Sequence, residues 1–143
     1  MAYFGFTNKL VNNETIKIFN YGNCKRDFTY IDDIVTGVVK VMEKAPEKNE
    51  HGVPYKVYNI GNQNPENLLD FVTILQEELI DAGVLPSDYD FESHKELVPM
   101  QPGDVEVTYA DTSELEKDFG FKPSTSMRDG LRAFARWYKE YYK

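Results

Sequence analysis

A chain of 143 residues with a formal net charge of -8 lacks the concentrated positive face that nucleic-acid backbone binding needs. At 41% hydrophobic and 14% aromatic it is neither disordered nor fibrous, and its length suits a single domain burying roughly 70% of the surface its unfolded chain exposes. A single cysteine, Cys24, with only His51 and His94 beside it, excludes a disulfide framework and zinc-ligand spacing; with neither a leader pattern nor an apolar run of roughly 18 to 20 residues, the expectation is a soluble, cytoplasmic protein with no membrane contact.

Tyr3, Phe6 and Leu10 recur at helical spacing and predict a helix over 2–11, ended by Asn12-Asn13, which tolerates the left-handed conformation. Thr15 to Phe19 reads as a strand, with Ile16 and Ile18 on one face and Lys17 and Phe19 on the other. A turn follows at Tyr21-Gly22-Asn23. Beyond it Ile31, Ile34, Val35, Val38, Val41 and Met42 form one stripe of a helix from about Tyr30 to Lys44. Asp32 and Asp33 sit at its positive end and Lys40 and Lys44 at its negative end, complementing the helix dipole. Gly37 costs this helix about 1 kcal/mol of propensity, which close approach of another backbone would offset.

Pro46 to Gly52 is a surface loop, and Tyr55 to Gly61 reads as a strand ending in a turn. Asn64 as N-cap and Pro65 at the first helical position predict a helix with Leu68, Val72, Leu75 and Leu79 on one face, closed by Gly83. Residues 84 to 103 are irregular apart from an expected strand at Tyr89 to Glu92. Glu106 to Ala110 is extended, and Asp111-Thr112-Ser113 caps a short helix ending at Phe119-Gly120. Ser126 and Asp129 form a capping box for a last helix whose stripe of Met127, Leu131, Phe134, Tyr138 and Tyr141, broadened by Trp137 and Tyr142, reads as core.

The chemically informative stretch is Gly22 to Asp33. Lys25 and Arg26 follow a turn and precede a helix, and a guanidinium there has the fork geometry for a diphosphate. On chemistry alone the plainer reading is a surface ion pair of Arg26 with Asp27 or Asp32.

Arg26-Asp27-Phe28-Thr29-Tyr30-Ile31-Asp32-Asp33, Val57-Tyr58-Asn59-Ile60-Gly61, Gln101-Pro102-Gly103-Asp104-Val105, Tyr109-Ala110-Asp111-Thr112-Ser113 and Phe119-Gly120-Phe121-Lys122-Pro123 occur in an order that resembles the C-terminal part of the extended short-chain dehydrogenase/reductases, the sugar-nucleotide epimerases and dehydratases of carbohydrate metabolism. Met1-Ala2-Tyr3-Phe4, Lys17-Ile18-Phe19-Asn20-Tyr21-Gly22 and Met100-Gln101-Pro102-Gly103-Asp104 resemble UDP-glucuronate 4-epimerases and their close relatives. The resemblance implies an α/β substrate-binding lobe, a small sheet with several helices and no Rossmann core, forming one C-terminal domain over 1–143. It implies a UDP-sugar as ligand and NAD as the cofactor of the parent family. This chain has no G-x-x-G-x-x-G fingerprint, and its one Y-x-x-x-K match, Tyr21 to Lys25, spans a turn, where the two side chains cannot share a helix face. No cofactor, acid, base or turnover is therefore expected of the chain alone.

Carried over residue by residue, the resemblance makes Arg26 the diphosphate ligand. Lys17 and Phe19 line the uracil pocket and Asp104 fixes the ribose hydroxyls. Gln101 stands where related epimerases have a second phosphate-binding arginine, so that contact is weaker or supplied elsewhere. The resemblance also implies that the Ile34/Val38 helix face and the Val57 strand pack on an NAD-binding domain, or, in its absence, on a second copy of the chain. A stand-alone binding module that docks on a separate NAD-binding domain is the alternative reading.

Overall fold

Leu10, Ile16, Ile18, Phe71, Leu75 and Leu79 are sealed from solvent and form the centre of the core, with Leu131, Ala135 and Tyr138 closing it. The computed structural model describes residues 2–143; Met1 of the Met1-Ala2-Tyr3-Phe4 motif lies outside them. The described chain runs α1 (Ala2–Val11), β1 (Ile16–Ile18), a 3-10 turn (Phe19–Gly22), β2 (Lys25–Asp27), α2 (Ile31–Met42), β3 (Pro65–Asn67), α3 (Leu68–Asp81), β4 (Lys95–Leu97), α4 (Ser113–Phe119) and α5 (Met127–Tyr142). The small sheet is two separate two-stranded ladders among the described residues, β1 with β4 in parallel and β2 with β3 antiparallel.

The main layer is α3 against α5. The Leu75/Leu79 face of α3 follows from its spacing, and the buried Leu131 and Tyr138 of α5 face it. Between them, Glu78 is only 2% exposed and is held by Arg128 Nη1 at 3.0 Å and Arg132 Nε at 3.1 Å. Helix ends obey local chemistry: Asn13 has φ of 57°, Gly83 of 69° and Gly120 of 59°, and the Ser126 hydroxyl caps α5 by accepting the Asp129 N–H at 3.1 Å.

Several expectations need correction. Residues 55–61 are extended but join no ladder among the described residues; side chains hold them instead. Asn64 and Pro65 do not start α3. Pro65 opens β3, where its missing N–H costs nothing as the first strand residue, and the true cap is Asn67, whose Oδ1 accepts the Leu69 N–H at 2.7 Å. Tyr89 to Glu92 fold into turns, and the strand lies later, at Lys95–Leu97, where two charged residues hide any apolar alternation.

Phe19 belongs to the 3-10 turn and not to β1, while Lys25 and Arg26 lie within a strand. Gly37 is the one buried residue of α2, and what approaches it is not backbone but the side chains of Ile60 and Phe121. The rest of its apolar stripe is largely in solvent: Ile31, Val35, Val38, Val39 and Met42 are all exposed. The far end of the α5 stripe is likewise largely uncovered: Tyr141 packs on Trp137 and Tyr142, which in turn touch Phe4 but remain about half exposed.

Candidate functional site

β2 is flanked on one side by β3 and on the other by an extended segment, because Lys25 N–H donates to the Glu106 carbonyl at 2.7 Å and Thr108 N–H to the Lys25 carbonyl at 3.1 Å. Arg26 sits at the middle of this arrangement. Its Nη1 donates to the carbonyls of Lys25 at 2.9 Å and Glu106 at 3.2 Å, and its Nη2 meets Asp104 Oδ1 at 2.7 Å. The partner is thus Asp104, 78 residues away, and not Asp27 or Asp32. The pair is part-shielded, the side chains being 23% and 36% exposed.

Asp104 is delivered by a tight turn. Its N–H donates to the Gln101 carbonyl at 3.1 Å, and Gly103 takes φ of 85° after Pro102, the pattern of a type II turn. Upstream of that turn, Val98 N–H donates to the Ile18 carbonyl at 2.9 Å and the Val98 carbonyl accepts from Tyr21 at 3.0 Å. One segment, 98–104, therefore leads from the strand carrying Lys17 to Arg26. Lys17 itself is exposed opposite Glu96, Phe19 is half-buried and Gln101 is exposed. Among the described residues the structure brings Arg26 and Asp104 together, whereas Arg26 hydrogen-bonds none of Lys17, Phe19 or Gln101.

An apolar groove lies elsewhere. It measures about 350 Å³ and is lined by Phe28, Tyr30, Ile34, Phe71, Met127 and Phe134 among others, without Arg26, Phe19 or Asp104. Its walls are largely apolar, so it offers little to a diphosphate.

Two acids of the 26–33 stretch do work the sequence reading overlooked. The Asp27 carboxylate accepts the backbone N–H groups of Gln63 at 3.2 Å, Asn64 at 3.4 Å and Ala110 at 3.0 Å. Asp33, read as a dipole partner, accepts from Thr125 at 2.9 Å and Ser124 at 3.3 Å, tying α2 to the loop before α5. The turn signals flanking 61–64 and 123–126 mark loops in need of acceptors; nothing local says which acid reaches them. Phe28 stacks on Phe71 at 4.6 Å and the Tyr30 ring lies against Gly130.

One cluster of shifted groups ties the unladdered 55–61 segment to α4. The hydrogen bond from Lys56, then that from the Tyr58 hydroxyl at 2.7 Å, hold the Asp118 carboxyl below its ordinary range. Reciprocally, hydrogen bonding to Asp118 and then to Glu114 raises Lys56, and Asp118 followed by burial raises Tyr58. These groups satisfy one another and form a clamp onto α4.

Among the described residues, neither the β2–α2 connection, which carries Phe28 and Tyr30, nor the first turn of α3, which is capped by its own Asn67, presents a glycine-lined cradle for a pyrophosphate.

A mixed α/β lobe with these motifs in this order is the C-terminal part of an epimerase or dehydratase of the extended short-chain dehydrogenase/reductase superfamily. The sequence model described as GDP-mannose 4,6 dehydratase matches residues 6–134, and the chain belongs to that family. It is 41% identical to the protein CapI of Staphylococcus aureus, over all of this chain and 43% of that protein. It is 36% identical to UDP-glucuronate 4-epimerase 2 of Arabidopsis thaliana, over all of this chain and 33% of that protein. Among solved structures, the UDP-glucuronic acid 4-epimerase of Bacillus cereus in complex with UDP-glucuronic acid and NAD superposes with a TM-score of 0.74 at 27% identity, covering 99% of this chain and 40% of that one. The chain spans less than half the length of the relatives it matches. No helix among the described residues is long and apolar enough to cross a membrane.

Proposed function

We propose that this chain is a single domain supplying UDP-sugar recognition to an NAD-dependent epimerase of the UDP-glucuronate 4-epimerase type. The observation that carries the proposal is Arg26, on the strand between β3 and the 104–108 segment, whose guanidinium is met by the Asp104 carboxylate. In the proposed complex the diphosphate takes the fork, Lys17 and Phe19 face the uracil, Asp104 takes the ribose hydroxyls and Gln101 lies beside the phosphates. The parent reaction removes a hydride from the sugar C4 to NAD, turns the keto-sugar and returns the hydride to its other face. This chain contributes neither hydride acceptor nor base, and its uncovered α2 face and 55–61 segment receive an NAD-binding domain, in the same polypeptide or a separate one.

A thermal-shift titration with UDP and UDP-glucuronate tests the assignment. Ligand at roughly 100 times its dissociation constant adds about 2.7 kcal/mol of stability. Arg26→Ala is expected to abolish the shift; an equal shift in the variant would remove Arg26 from the site.

A further inference from the structure

Arg26 already has an anion on its fork, at the spot where the proposed diphosphate would sit. Asp104 Oδ1 is 2.7 Å from Nη2, and the same oxygen accepts the Val105 N–H at 2.9 Å, so the acid is fixed by its own turn as well as by the guanidinium. Nη1 is spent on the carbonyls of Lys25 and Glu106. The register places Glu66 opposite Arg26, and Glu106 lies alongside in a chain of net charge -8. A phosphate approaching this edge therefore meets a cation already paired with a carboxylate.

Resting on the function proposed above, we infer that Asp104 is a positioning residue that acts through Arg26 as an internal competitor of the ligand, and so sets which diphosphates are accepted. A nucleoside diphosphate displaces Asp104 from the guanidinium and offers it ribose hydroxyls as new hydrogen-bond donors. The carboxylate exchanges one partner for another. Inorganic pyrophosphate breaks the same ion pair, brings two anionic groups near Asp104 and returns nothing to it. Asp104 thereby turns a general diphosphate fork into one that favours a ligand carrying a vicinal diol.

The sign of the effect makes this testable. Asp104→Asn keeps an oxygen for the Val105 N–H and removes the competing charge. Isothermal titration of the chain with UDP, 2′,3′-dideoxy-UDP and pyrophosphate, on wild type, Asp104→Asn and Asp104→Glu, separates the terms. In Asp104→Asn, pyrophosphate and dideoxy-UDP are expected to bind about fivefold more tightly than in wild type, the factor that corresponds to a part-exposed ion pair. UDP gains less or loses affinity, so its preference over dideoxy-UDP collapses, and Asp104→Glu restores the wild-type order. General damage to the turn would weaken all three ligands together. If UDP binds wild type through Arg26 but Asp104→Asn leaves pyrophosphate and dideoxy-UDP no tighter, the competitor role is overturned while the function proposed above stands. If UDP does not bind, or binds Arg26→Ala as well as wild type, that function falls and this inference with it.

Discussion

The Asp27 carboxylate accepts the backbone N–H of Ala110, 83 residues further along the chain, at 3.0 Å. With Gln63 and Asn64 on the same side chain, one acid closes two loops whose donors have no strand to serve. Hydrogen bonds to a charged acceptor are the strong ones, about 1.5 to 3 kcal/mol each. Asp27→Asn would turn an amide N–H₂ toward one of these donors. Urea denaturation is expected to show a loss of about 2 kcal/mol; a variant as stable as wild type would mean that water satisfies these loops equally well.

Gly22 combines two demands that can be separated. Its φ is 84°, and a Cβ there would run into the Leu69 side chain, whose Cδ atoms would lie 2.6 and 2.8 Å from it. Gly22→Ala is expected to cost about 2 to 3 kcal/mol, roughly 1 from the left-handed backbone and the remainder from overpacking. In the Leu69→Ala background only the backbone share should remain. A double-mutant cycle with no coupling would show that the two positions do not meet.

The ion pairs between α3 and α5 predict an unequal response to their removal. Glu78 is buried while Arg128 and Arg132 are each about 40% exposed, so the arginines can turn to water and the carboxylate cannot. Glu78→Gln is expected to cost about 1 to 2 kcal/mol. Replacing both arginines by alanine should cost more, since it strands a charge inside the core. Chemical denaturation of the two variants side by side gives the order, and the reverse order would mean that Glu78 is reached by solvent.

Helices were legible in this sequence because their evidence is local. The Leu75/Leu79 spacing, the Ser126–Asp129 box and the terminal Gly83 and Gly120 each act within a turn or two of themselves. Strands were not, because three-residue ladders such as Pro65–Asn67 and Lys95–Leu97 are defined by partners 38 to 79 residues away in the register and carry no alternation of their own. The 55–61 stretch misled for the opposite reason: Val57 and Ile60 have strand composition, but no strand among the described residues pairs with them. Motif order singled out Arg26 and Asp104, yet that they would hold each other depended on a turn far along the chain. The structural duties of Asp27 and Asp33 were hidden likewise, since an acid beside a helix start looks the same whether it serves the dipole or a distant loop.

The Lys56–Tyr58–Asp118 clamp makes stability depend on pH at both ends of the scale. Asp118 titrates below its ordinary 3.8, mainly through Lys56, so its contribution is present above that value and is lost as pH falls through the folded value. Tyr58 is raised above 10.0, chiefly by Asp118, so its contribution is present below that value and is lost as pH climbs through the folded one. Asp118→Asn should therefore be less stable than wild type near neutrality, with the gap narrowing on acidification. Denaturation curves at about pH 7 and about pH 3 check this, and a gap independent of pH would exclude the carboxylate charge as its cause.

The uncovered layer predicts how the isolated chain behaves. Ile31, Val35, Val38, Val39 and Met42 form an exposed stripe on α2, and Val57 nearby in the fold's unladdered segment is 66% exposed. An apolar helix face and an extended segment without a ladder together attract a partner of the same kind. A second copy of the chain supplies an apolar face of matching size. Sedimentation velocity at micromolar concentration is expected to show dimers or larger species. Val35→Lys with Val39→Lys should return the chain to monomer, and because both residues face solvent in the single chain its stability should change by no more than about 0.5 kcal/mol per site. A wild type that sediments as a monodisperse monomer would show that this surface is tolerated by water and would count against self-association through it.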